Sequence, residues 1–274
     1  MAIAPSDAPG VPTWLLVTAI VAFVNQKGGV GKTSVTLGMA SAAWSAGHRV
    51  LVVDLDPQGS ATWVLGIDPA AVEQSTAEVL TAPRAGAAAR AVVPSAWGEG
   101  VSVLPASRRL QALEAADGRD PAHRLRRALA GATDGYDLVL VDCSPSLGNL
   151  TRNALGAATH AVMVVEPAAL SLRGLGAVAD AIDDAWSADN DGLDLAGVIV
   201  NKVPAVSSEA DRRYDELVRT VGKRAVWQPS IPSRVIVNQA LAERQPIHAY
   251  GARAHDVTAA LDELYAKLRR AVRR

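Results

Sequence analysis

Cysteine is nearly absent from this chain: its 274 residues include one, Cys143. A single thiol excludes an intrachain disulfide and a cysteine-built metal site, and it points to a reducing, cytosolic compartment. Nothing in the chain reads as a secretion signal or a membrane span. Val11 to Val24 is nearly continuous apolar sequence, but no basic segment precedes it. Its second half runs into a glycine-rich loop, which leaves too little to cross a bilayer. No Pro/Gly/Ser linker and no internal repeat divides the chain, so one domain is expected over residues 18–274. Residues 1–17, with three prolines and a glycine in the first twelve, are expected to form a flexible leader. A hydrophobic content of 49% is ample for a core and excludes disorder of the whole.

The chain also has little net charge, −1, but that figure hides an asymmetry. Residues 1–200 hold 13 Lys and Arg against 20 Asp and Glu, whereas residues 201–274 hold 14 against 8. A basic final quarter fits an anionic partner, and it equally fits arginines that solubilise an exposed helix.

The organising element is Ile20 to Thr33. Its apolar start suits a buried parallel strand. Its glycines, Gly28, Gly29 and Gly31, allow a tight turn whose N–H groups converge on one cluster of anionic oxygens. Such a loop is a phosphate cradle from Lys27 through Val30 to Ser34. Lys32 is expected on the β- and γ-phosphates and Thr33 on Mg²⁺, while the helix that follows turns its positive end to the same place. The strand His48–Asp54 delivers Asp54 and Asp56 to the rim where strand ends gather ligands. The strand Tyr136–Asp142 delivers Asp142, which makes Thr33, Asp142 and Asp56 the candidate metal ligands, Asp142 through a water. Cys143 reads as a small buried residue.

Farther along, strands at Val101–Leu104, His160–Val165, Leu195–Val200 and Ala225–Gln228 alternate with helices at Leu170–Trp186, Glu209–Val221 and Ala254–Val272. Arg108 to Ala130 has a helical period broken by Asp117-Gly118 and Asp120-Pro121. The pattern predicts an α/β fold, a doubly wound, mostly parallel sheet with helices on both faces. Asn201-Lys202 falls at a strand end, where a side-chain amide could read a base or cap the next element.

Lys27, five residues before Lys32, adds a second lysine to the loop. The run Lys-Gly-Gly-Val-Gly-Lys-Thr resembles the deviant phosphate loop of the ParA/MinD superfamily, and Asp54 to Thr62 and Asp137 to Gly148 continue the resemblance in order. The resemblance implies a P-loop ATPase that binds ATP and Mg²⁺ as a nucleotide-sandwich homodimer. Lys27 would cross to the partner's phosphates, Asp56 would orient the attacking water, and Asn201 and Pro232 would contact adenine. It further implies non-specific binding to double-stranded DNA, a ParB-like activator and a cytoplasmic, nucleoid-associated location. Arg219, Lys223, Arg224, Arg234 and Arg244 are the candidate DNA contacts. Residues 1–19 leave no room for the operator-reading winged helix of larger plasmid relatives, so autorepression is not expected. Glu166 to Leu170 departs from the family pattern.

A MinD-like membrane-surface ATPase is the alternative, as is a ParA-like positioner of a protein cargo. Stable membrane association is not expected, because the closing helix carries Val and Leu with one Tyr and no Phe or Trp on its apolar face. A redox protein like the nitrogenase iron protein would need two cysteines per chain.

Overall fold

Parallel strands cannot be joined by a tight turn, and the chain accordingly alternates strand with helix. The computed structural model describes residues 18–116, 123–188 and 190–273, with the backbone alone for 169–173. The expected leader, the Asp117–Gly118 and Asp120–Pro121 interruption and Arg274 lie outside the described residues.

In chain order the elements are β1 (Ile20–Val24), α1 (Lys32–Ser45), β2 (Val50–Leu55), α2 (Ser60–Val64) and α3 (Thr76–Thr81). A 3-10 turn at Ala87–Arg90 precedes β3 (Val93–Pro94), β4 (Val101–Leu104), α4 (Leu110–Glu114) and α5 (Arg124–Leu129). Next come β5 (Leu138–Cys143), α6 (Asn149–Ala157), β6 (His160–Val165), α7 (Ala169–Ala188), β7 (Asp194–Val200) and α8 (Ser208–Val221). The chain closes with β8 (Val226–Trp227), α9 (Val235–Ala242), a 3-10 segment at Ile247–Ala254 and α10 (His255–Ala271). The eight strands form one sheet in the order β3-β4-β2-β5-β1-β6-β7-β8. Every pairing is parallel except that of the short edge strand β3 with β4.

Side chains alternate between the faces of each strand, and both faces are buried. Val21 and Phe23 of β1 point into a layer with α1, α9 and α10; Ala22 and Val24 point into the opposite layer with α3, α5, α6 and α7. Full burial of a side chain such as Phe23 or Leu51 stabilises the fold by about 1.5–3 kcal/mol. The apolar stripe of α10, formed by Val257, Leu261, Leu264 and Leu268, is buried against this sheet. Gly38 lets α1 approach that stripe closely, since a Cβ there would lie 2.8 Å from Leu261. Ser41, His248 and Asp262 pin the same helices together: Ser41 Oγ is 2.7 Å from His248 Nδ1, and His248 Nε2 is 3.1 Å from Asp262. The order resembles a hydrolytic triad, but Ser41 is fully buried and cannot meet a substrate.

The sequence pattern misses α6 and α9, each shorter than three turns. Arg108–Ala130, read as a helical period with an interruption, holds two short helices among the described residues, α4 and α5, on either side of it. β8 is shorter than expected because Pro229, close behind it, has no N–H to continue the ladder.

Gly197, beside a register shift between β6 and β7, lies under the buried Trp227 ring; a Cβ there would meet Trp227 Nε1 at 2.2 Å. Gly197→Ala is expected to lower stability by about 1–3 kcal/mol in urea denaturation. An unchanged midpoint would show that the ring has room to move.

Candidate functional site

β1 lies between β5 and β6 in the middle of the sheet, so the loop that follows it opens at the carboxyl ends of buried strands. Gly29 and Gly31 adopt φ values of 82° and 87°, a left-handed conformation that side chains disfavour. Val30 between them is fully buried and anchors the turn from below. No side chain caps α1, as is true of most helices among the described residues, but α1 alone among them begins in this glycine loop. The N–H groups of its first turn are thus oriented for an anion.

The two loop lysines lie in different surroundings. Lys32 is 6% exposed, and burial lowers its pKa while Asp142, Cys143 and Asp56 act to raise it. Lys27 turns outward and forms an ion pair with Glu166, which follows β6. Its backbone N–H donates to Asn25 Oδ1 at 2.8 Å, and Asn25 is itself held by the Val164 carbonyl. Glu166 belongs to the segment that departs from the family pattern, so sequence comparison offered no reason to pair it with Lys27.

Asp54 and Asp142 are direct neighbours across β2 and β5, and both are fully buried. Asp142 accepts a 2.7 Å hydrogen bond from Thr33 Oγ1, which brings the first two candidate metal ligands together. Asp56, half-buried on the adjacent loop, accepts from the Gln58 N–H at 2.9 Å and contributes to the charge felt by Lys32 and Asp142. Among the described residues no group of three His, Cys, Asp or Glu could hold a metal alone. A hydroxyl beside one carboxylate is nevertheless the hard-oxygen donor set that suits Mg²⁺ shared with phosphates.

Two loops follow the buried carboxylates, one after β2 and one after β5, and Asp54 holds the first. It accepts from the Asp56 N–H at 3.0 Å, the Thr62 N–H at 2.8 Å and Thr62 Oγ1 at 2.7 Å, and Thr62 Oγ1 accepts from the Ala106 N–H. Glu114 of α4 does the same for the second, pairing with Ser146 Oγ and accepting from the Leu150 N–H at 2.8 Å. Thr62 ends the Asp54 motif and was legible in it, whereas no pattern in the sequence marks Glu114.

Asn201, 5% exposed, donates through Nδ2 to the Val30 carbonyl at 2.9 Å, and Pro232 is bridged to Val203 of the same loop. Of the two expected base contacts, Asn201 therefore lies against the phosphate loop and Pro232 lies beside Val203. A cavity of 570 Å³ opens beside it, between Thr33, Ser34, Gln58, Ser60 and Trp63. Cys143 is buried and its thiol is pushed up by that burial.

The candidate DNA residues are not all brought together. Arg219, Lys223 and Arg224 are exposed around the turn between α8 and β8, at one edge of the sheet. Arg234 precedes α9 and pairs with Asp256 at 3.0 Å. Arg244 follows α9, with its guanidinium 4.0 Å over the Trp63 ring, a helix away from the others.

Fold and loop together define a P-loop nucleotide-binding protein with a second lysine in the loop. Residues 18–195 match the AAA domain family model. Sporulation initiation inhibitor protein Soj of Bacillus subtilis is 33% identical over 245 residues, 89% of this chain and 95% of its own. Chromosome partitioning protein ParA of Caulobacter vibrioides is 32% identical over 259 residues, 92% and 93% of the two chains. Among solved structures, cobyrinic acid a,c-diamide synthase of Mycobacterium smegmatis with bound ADP and magnesium superposes with a TM-score of 0.79. It is 31% identical and covers 94% of this chain and 96% of that one. The chain belongs to the family of ParA- and Soj-type P-loop ATPases.

Burial pushes Asp54 up to about 6 and Asp142 up to about 8, and each also feels a neighbouring carboxylate. Both carboxyls hold a proton more tightly folded than unfolded. Their contribution to stability is complete below about pH 4 and is lost as pH rises through those folded values. Without nucleotide or divalent cation, stability should decline between about pH 4 and 8, by at most about 1.4 kcal/mol per pH unit for each group. Asp142→Asn should flatten that decline in thermal melts run with chelator. Parallel slopes for variant and parent would show that Asp142 is ionised in the folded chain throughout.

Proposed function

We propose that this chain is a DNA-partitioning ATPase that cycles between a monomer and an ATP-bound homodimer, binds double-stranded DNA without sequence preference in the dimeric form, and is reset by a ParB-like activator. The observation that carries this reading is the division of labour between the two loop lysines: Lys32 is buried toward Asp142, while Lys27 faces away from it onto Glu166. One cation serves the chain's own phosphates, and a second on the same loop is useful when another subunit's phosphates face it. Soj and ParA, the partition-type relatives, match this chain nearly end to end.

Residues 18–274 act as one ATPase domain. The loop from Lys27 through Gly28, Gly29, Val30 and Gly31 to Lys32, Thr33 and Ser34 binds the phosphates, and Asn201 and Pro232 contact adenine. Thr33 and Asp142, with Asp56 near, would hold Mg²⁺, which would supply charge neutralisation for the phosphates. Asp56 orients the attacking water, and hydrolysis is slow because the site relies on positioning and charge without an arginine finger of its own. Lys27 must leave Glu166 before it can reach a partner's phosphates, so dimerisation competes with that ion pair. Arg219, Lys223 and Arg224 form the exposed cationic edge that meets DNA phosphates, with Arg234 and Arg244 secondary because each already has a partner. The protein works in the cytoplasm on the nucleoid.

Membrane anchorage through the closing helix is disfavoured, since the apolar stripe of α10 is buried against the sheet. Among the described residues no helix is long and apolar enough to cross a membrane. An amide-forming activity like that named for the Mycobacterium smegmatis protein would need an ammonia source. The only thiol of this chain, buried with its pKa pushed up, is no nucleophile for releasing ammonia from glutamine.

Asp56→Ala is expected to keep ATP binding and to slow single-turnover hydrolysis by about 100-fold or more, because the phosphate cradle survives and the water loses its orientation. Hydrolysis at the parent rate would remove Asp56 from the chemistry.

Lys27→Gln separates binding from assembly. The variant should titrate with ATP as the parent does, yet sediment as a monomer with a non-hydrolysable ATP analogue and fail to pellet with DNA. A variant that dimerises and binds DNA normally would overturn the sandwich reading.

A further inference from the structure

Lys202 occupies a backbone conformation that a side-chain-bearing residue seldom adopts. Its φ is 56°, in the left-handed region, a property it shares with one other non-glycine among the described residues, Arg244. Such outliers persist where the surroundings over-determine them, and here the surroundings are dense. The Asn201 N–H donates to the Val165 carbonyl at 2.7 Å, and the Val203 N–H donates to Ile231 at 3.0 Å. The Ser233 N–H donates back to Val203 at 2.7 Å, so the segment carrying Pro232 holds this loop in place.

The conformation has a specific product. Lys202 Nζ donates to the Gly29 carbonyl at 2.5 Å, while its neighbour Asn201 donates to the next carbonyl, Val30, at 2.9 Å. Two consecutive carbonyls of the phosphate loop are thus held from one side by two consecutive residues after β7. A trans peptide is planar, and its C=O and N–H point in opposite directions. A donor fixed on the Gly29 oxygen therefore turns the Val30 N–H away from Lys202, and a donor on the Val30 oxygen turns the Gly31 N–H the same way. Those are N–H groups of the proposed phosphate cradle. Gly31 completes the arrangement, because a Cβ there would lie 2.3 Å from Asn201 Nδ2 and 3.5 Å from Lys202 Cε.

We infer that Lys202 is a positioning residue of the phosphate loop: together with Asn201 it orients the loop's N–H groups toward phosphate, and it makes no contact with the base. This inference rests on the nucleotide reading above and extends it to a third lysine.

The test uses two variants of the full chain and two probes, ATP and inorganic tripolyphosphate, each with Mg²⁺. Lys202→Met removes the donor and keeps the stem. Lys202→Gly removes the donor and relieves the left-handed backbone. Both should weaken ATP and tripolyphosphate by the same factor, about three- to tenfold for one lost hydrogen bond. The Tm of Lys202→Gly should be no lower than that of the parent, because glycine suits the conformation. Loss of phosphate affinity without loss of stability is what a merely structural role would not produce. Unchanged affinity for tripolyphosphate in both variants would overturn the inference, whether ATP weakens, as a base contact would require, or not. If the parent binds neither probe, or binds both as well after Lys32→Ala, the nucleotide reading itself fails and the inference with it.

Discussion

Two carboxyl groups side by side in a sheet, shielded from bulk solvent, are the constraint on which the rest of the structure depends. The register of β2 on β5 sets Asp54 beside Asp142, both fully buried, and Asp54 raises the cost of ionising Asp142. The arrangement is tolerable only because the surroundings answer it. Asp54 receives hydrogen bonds from two N–H groups and the Thr62 hydroxyl, Asp142 receives one from Thr33, and Lys32 is buried close by. A divalent cation with its phosphates is the natural completion of that balance, and the same charges then report on whether a nucleotide is present.

From that pair the two loops after β2 and β5 take their shape. Asp54 holds the loop carrying Asp56 and, through Thr62 and Ala106, ties it to the segment that leads into α4. Glu114 at the end of α4 reaches the loop after Asp142 and the first turn of α6. Asn149 closes the circuit by donating to the Leu113 and Ala116 carbonyls. The loops after β2 and β5 are therefore both tied to α4 or to the segment that leads into it.

The fold was largely legible because it follows from periodicity. Apolar runs of five to seven residues, each followed by a helical period, leave few solutions other than a parallel sheet covered on both faces, and β1, β2, β5, β6 and β7 lie where those runs are. α6 and α9 were missed because such short helices carry too few apolar turns to register. The loop lysines, Thr33, Asp56 and Asp142 were legible because phosphate and magnesium demand particular residues at fixed spacing. Glu114, Glu166 and the reach of Lys202 were not, since each acts on a residue from 32 to 173 positions away and carries no local signature.

Taken alone, the sequence determined the identity and order of the chemistry: a glycine loop that turns, two lysines, a hydroxyl and carboxylates at strand ends. These are local demands of backbone geometry and charge, and a linear pattern can state them. Which way each group faces was decided by the tertiary structure. Strand register placed Asp54 against Asp142, burial assigned Lys32 to the interior, and an ion pair with Glu166 drew Lys27 outward. The packing of α9 and α10 separated Arg244 from Arg219 and enclosed the closing helix's apolar stripe. Orientation depends on what lies across the sheet, and no spacing along the chain encodes it.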